Sequence, residues 1–195
     1  MKAKLVCLAL LATASAVAPA CCAIAGEYVN FTGQMNLIVW NPKTKTEHFI
    51  RKADFATEAK DMGFLAPSPT VPELVEVDEE VFNTVERMRP VERPLGCAAP
   101  AEGVVQSKAG GVEVISEQEV AGYQAAILKA TDEQALQDWL KQNDYPAEAF
   151  VQDWLKHYVE KGWIITAFKV KQADGDAATT GTVRMTFQTE TPFNP

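Results

Sequence analysis

Histidine is nearly absent from this chain of 195 residues: there are two, His48 and His157. No His-x-x-x-His or Cys-x-x-Cys pair occurs, so the short ligand spacings of a zinc site are missing. A Gly-x-Ser-x-Gly elbow, a P-loop and a Gly-x-Gly-x-x-Gly turn are missing too, which leaves hydrolase and nucleotide chemistry without local support. Basic side chains are outnumbered, 18 against 26 acids, for a net charge of −8. With no basic stripe to neutralise phosphates, a nucleic-acid partner is excluded. Four cysteines are too few for a disulfide miniprotein, and 11 glycines with 11 prolines are too few for a collagen-like or low-complexity chain. No cofactor and no metal is expected.

What is present is a globular composition, 47% hydrophobic and 23% charged, behind a targeting segment. Lys2 and Lys4 form a positive start, Leu5 to Leu11 an apolar stretch, and Ala12 to Ala20 a small-residue end. Ala18-Pro19-Ala20 fits small-x-small cleavage before Cys21, and Ala23-Ile24-Ala25 is a second candidate. The expected organisation is a signal peptide over 1–20 and a single domain over 21–195. No later run approaches the ~18 apolar residues that span a bilayer. The mature chain is therefore expected in the periplasm or medium, at a membrane only if lipidated.

Cysteine parity leaves alternatives open. Cleavage after Ala20 leaves Cys21, Cys22 and Cys97, an odd number for an oxidising compartment. One member of the adjacent pair can bond Cys97 while the other stays free or pairs between chains. Alternatively Cys21 carries lipid and Cys22 pairs with Cys97, although Ala18 makes a poor lipobox. Cleavage after Ala25 would leave Cys97 alone.

The apolar patterning predicts strands at 35–40 and 46–52 across the turn Asn41-Pro42-Lys43-Thr44-Lys45. Three prolines in 67–72 predict an extended, polyproline-like exposed path. A helix over 79–88, capped by Asp78, presents Val81, Phe82, Val85 and Met88 on one face. Residues 89–111 read as a long Pro/Gly loop, and 112–116 and 120–128 as strands. Thr131 with Gln134 reads as a capping box that opens a helix ended by Asn143-Asp144-Tyr145. The stripe Phe150, Val151, Trp154, Leu155, Tyr158 and Val159 predicts a second helix, closed by Gly162. Trp163 to Val170 reads as a strand with 182–188 as its hairpin partner. The fold class is α+β: mainly antiparallel sheet with a short helix and a two-helix hairpin packed on it.

Several of these segments resemble one bacterial secreted family. They are the Ala-Cys-Cys mature start, His48-Phe49-Ile50-Arg51, Gly63 to Pro69, Tyr123 to Leu128, Leu136-x-x-Trp139-Leu140 with Asn143 and Tyr145, and Tyr158 followed by Gly162-Trp163. The family is catalogued as domain of unknown function 2330, and the likeness runs over roughly 30 to 195. It implies an exported bacterial protein and carries no catalytic residues over. The ending Thr191-Pro192-Phe193-Asn194-Pro195 departs from members that continue, which makes truncation an expectation.

Four features could carry chemistry. His48 and His157 lack neighbouring ligands and read as surface or interfacial side chains. Glu73, Glu76, Asp78, Glu79 and Glu80 could face a cation, but the spacing is not that of a calcium loop, and a solvated loop running into a helix start is favoured. Trp139, Trp154, Tyr158 and Trp163 could line a groove for sugars or peptides, against a default of core packing. The pentapeptide Gln137 to Lys141 recurs at Gln152 to Lys156, as two packed helices with similar faces would require. The leading expectation is a non-catalytic envelope module that binds an envelope component or small ligand. An enzyme using dispersed carboxylates or a His/Cys pair, and a structural envelope lipoprotein, are the alternatives.

Overall fold

Strand parity governs this architecture, because alternate side chains must find an apolar partner on each buried face. The computed structural model describes residues 22–25, 30–56, 62–88, 111–145, 151–170 and 177–195. They form β1 (Cys22–Ala25), β2 (Asn30–Asn41), β3 (Thr46–Ala56), β4 (Met62–Ser68), β5 (Glu73–Val77), α1 (Glu80–Met88), β6 (Val112–Val120) and β7 (Tyr123–Ala130). Then follow α2 (Glu133–Gln142), α3 (Val151–Val159), β8 (Ile164–Val170), β9 (Ala177–Thr179) and β10 (Thr182–Gln188). One sheet runs β1-β4-β8-β7-β6 and the other β2-β3-β10-β5, with β9 continuing the line of β10 along β3. Every pairing is antiparallel.

The two sheets face each other. Phe49, Ala53, Val183, Met185 and Phe187 of the second sheet share one core with Phe64, Tyr123, Ile127 and Phe168 of the first. Phe64 stacks on Phe168 at 4.5 Å, and Tyr123 meets both rings edge-on at 5.3 and 5.6 Å. Such pairs each contribute about 0.5–1.5 kcal/mol beyond the area they bury. Odd parity in β8 turns Ile165 and Ala167 the other way, onto Leu136, Leu140, Val151 and Leu155 of α2 and α3. The layers are therefore sheet, sheet, helix pair. The α+β antiparallel reading holds, with the helix pair on one outer face.

Local signals are honoured at the helix ends. Asp78 Oδ1 accepts from the Glu80 amide at 2.9 Å. Gly162, at φ 69°, ends α3: its amide donates to Val159 O, and the Trp163 amide to Tyr158 O. Those two bonds are a Schellman motif. Asp144, at φ 58°, builds the same motif after α2, with bonds from Asp144 to Lys141 O and from Tyr145 to Leu140 O.

Five expectations need correction. The cap of α2 is Asp132, whose carboxylate accepts from Ala135 N at 2.8 Å. Thr131 instead donates to Gly111 O, through its amide and its hydroxyl. Strand β10 is not the hairpin partner of β8, because β4 and β7 occupy both edges of β8 and β10 lies between β3 and β5. The segment 66–72 is exposed only at its middle: Ala66, Pro67 and Ser68 are buried in β4 and Pro72 is buried, whereas Thr70 and Val71 are exposed. There β1 reaches only to Leu65, so Pro67 sits where one edge has no partner strand among the described residues, a place that tolerates a missing N–H. Acidic Glu73–Val77 is a strand rather than a loop. Residues 117–119 continue β6, and the turn falls at Ala121-Gly122, both at positive φ. Polar Glu117-Gln118-Glu119 can stay in a strand because that edge faces water.

Candidate functional site

β3 carries the least expected chemistry. Its core-facing positions are Glu47, Phe49, Arg51 and Ala53, so an acid and a base point between the sheets. Glu47 is 0% exposed and Arg51 2%. The Glu47 carboxylate accepts one bond, from the Phe193 amide at 2.8 Å, and its Oε1 has no partner among the described residues. Burial pushes its pKa up, and the Phe193 bond opposes that only in part. Phe193 in turn packs edge-on against Trp163 at 4.7 Å, so Glu47 ties the final segment to the aromatic end of the helix layer.

Arg51 lies with its guanidinium carbon 4.1 Å from the Phe64 ring centroid. Its Nε and Nη1 have no hydrogen-bond acceptor among the described residues. Nearby, Tyr123 donates to Thr180, which donates to Ala53 O at 2.9 Å. Burial raises the Tyr123 pKa, and it raises that of Tyr145 to about 12. Both phenols therefore stay protonated at neutral pH. Thr166 Oγ1, also facing this core, has no partner among the described residues. A general acid or base must come within reach of a substrate proton. Glu47 and Arg51 are sealed from solvent and do not meet that condition in this conformation.

The histidines sit elsewhere. His48 Nδ1 is 2.9 Å from Thr186 Oγ1, and His157 Nε2 is 2.9 Å from Lys161 Nζ at the exposed end of α3. No group of three metal-ligating side chains occurs among the described residues. Of the cysteines, Cys22 opens β1 opposite Leu65, while Cys21 and Cys97 lie outside the described residues. The signal segment 1–20 and most of the loop 89–111 also lie outside them.

The four aromatic candidates separate into two groups. Trp154 and Tyr158 are buried against β8 and stand 4.8 Å apart, with half-buried Trp163 5.4 Å beyond. Trp139 stands apart with Tyr145 at 5.9 Å. The repeated pentapeptides place Leu140 and Leu155, each 0% exposed, in the same helix–sheet core.

The accessible feature is the edge of the second sheet. β2 pairs with β3 on one side, and among the described residues no strand pairs its other side. Exposed strand edges are ordinarily blunted by shortness or charge. β1 and β5 are four and five residues long, and β6 carries Glu113, Glu117 and Glu119 with a bulge at Ile115. β2 has neither protection. It runs twelve residues with no charged side chain, and Met35, Ile38 and Val39 are 42%, 36% and 47% exposed. The charge-free run Asn30–Asn41 was the readable signal for this edge. Parity puts Glu47 and Arg51 on the Phe49 face of β3, but the sequence carries no signal that this face is the covered one.

A family model described as "uncharacterized protein conserved in bacteria (DUF2330)" matches residues 14–195. No curated protein and no solved structure matches the chain.

Proposed function

The chain belongs to this bacterial family, whose members have no assigned activity, and we propose that it is an exported, non-catalytic interaction module of the cell envelope. Its docking element is β2, which takes an extended segment of another chain as an added strand. One observation carries this reading: β2 is long, free of charge and exposes Met35, Ile38 and Val39, whereas β1, β5 and β6 are each short or acidic. Strand addition uses the edge's unpaired N–H and C=O groups for affinity and alternate side chains for selectivity. The Lys2 to Ala20 pattern supports export.

The test of docking is titration with extended nine-residue apolar peptides, read by amide exchange. Protection of residues 33–41 that Val39→Lys abolishes is the expected result; binding that ignores Val39→Lys overturns the proposal. Intact mass of the protein from its native cells tests export. A mass starting at Cys21 or Gly26 fits, one starting at Met1 refutes it, and added diacylglyceryl would make Cys21 an anchor.

A further inference from the structure

We infer that the strand β2 docks is β2 of a second copy, so that two second sheets join into one continuous sheet across a two-fold axis. This rests on β2 being the docking edge. Three observations favour a copy over a foreign segment.

The first is charge. The chain carries a net −8, so two copies repel at most faces, and the acidic edges β5 and β6 would place like charges opposite each other. β2 offers its own copy no charge at all. A foreign partner of an acidic protein would be recruited by acids on the docking strand, and β2 has none.

The second is geometry. A register shift between Phe31 and Gly33 interrupts β2, and the hairpin turn follows Asn41. The regular stretch is therefore Gly33–Asn41, and its midpoint is Leu37. A two-fold axis at Leu37 pairs each residue with one of the same parity, so faces match without slippage.

The third is what that register brings together. On the face shared with Ile50, Leu37 meets Leu37 of the copy, and Met35 meets its Val39. On the opposite face Asn36 meets Ile38, and Gln34 meets Trp40. Exposed Met35 and Val39 each gain an apolar neighbour, and Ile38 is covered by the Asn36 side chain. A single strand pair is a small contact beside specific interfaces of about 1,200–2,000 Å², so the dimer is weak and concentration-dependent.

Sedimentation equilibrium of the purified chain, up to roughly 100 μM, tests this together with variants that each introduce one new cysteine beside the natural ones. The expected result is a reversible dimer whose dissociation constant rises at least tenfold in Val39→Lys. Leu37→Cys should form a disulfide at position 37 by peptide mapping, and Met35→Cys should form none at position 35, because its two-fold mates are four residues out of register. A monomer at all concentrations overturns the second copy. If that monomer still binds extended peptides in a Val39-dependent way, the docking edge stands and its partner is foreign. A dimer indifferent to Val39→Lys overturns the β2 interface.

Discussion

Replacing Arg51 by methionine is expected to stabilise the protein. Arg51 is 2% exposed, with two N–H-bearing nitrogens lacking acceptors among the described residues. Each buried unsatisfied group costs about 1–3 kcal/mol, so the pair costs roughly 2–6 kcal/mol. Against this stands the stacking on Phe64, worth about 2 kcal/mol for a desolvated cation–π contact. Methionine keeps most of the aliphatic stem and replaces the cation with a sulfur suited to the ring. The net gain is about 0–4 kcal/mol, which overlaps the range seen when buried charges give way to apolar residues of similar volume. Urea unfolding at neutral pH measures it as a higher midpoint with an unchanged slope. Arg51→Ala is the control: it removes the stem as well and leaves a cavity beside Phe64, so it should gain less or lose stability. A loss of more than about 1 kcal/mol in Arg51→Met would refute the reasoning, because it would mean that the guanidinium is well paired.

Three further outcomes follow from the same coordinates. Burial raises the folded-state pKa of Glu47, so its stabilising contribution is complete below the unfolded pKa and is lost as pH rises through the folded value. Glu47→Gln, which keeps an acceptor for Phe193, should therefore gain on the natural chain with rising pH, by up to about 1.4 kcal/mol per pH unit in that window; a pH-independent difference in denaturation midpoint would show that Glu47 does not titrate there. Asp132→Ala should cost about 1 kcal/mol through loss of the α2 cap, and Thr131→Ala clearly less; thermal melts showing the reverse order would restore Thr131 as the cap. Gly63→Ala should cost more than ~2 kcal/mol or abolish folding, since its Cβ would lie 2.2 Å from the Phe168 carbonyl oxygen across the β4–β8 pair; near-native circular dichroism and melting would mean the strands can part at little cost.

Much of the fold was legible because its signals are short-range. The α3 stripe from Val151 to Val159 and the cap at Gly162 repeat within one or two turns, so they can be read without knowing the partner. Asp132 was missed by one residue because Thr131 is as good a cap by type, and only its engagement with Gly111, twenty positions away, removes it from competition. Glu73–Val77 was missed because a strand at a sheet edge carries acids on its wet positions, which from the chain alone look like a solvated loop. The β3 parity that buries Phe49 also buries Glu47 and Arg51, but nothing near them says which face of β3 is covered.

Read alone, the chain specified most of the strands and all three helices, the C-terminal ends of α2 and α3, the antiparallel α+β class and the family. Those depend on apolar period, capping chemistry and turn residues that act over a few positions. It did not specify which strands meet. β8 and β10 have equal claims on each other by sequence, yet β4 and β7 fill both edges of β8, and β10 crosses to the other sheet. Strand pairing is a competition between edges far apart in the chain, decided by which arrangement buries Phe64, Tyr123 and Phe168 against Phe49 and Phe187. The same competition leaves β2, a charge-free strand, without a partner strand on one side among the described residues.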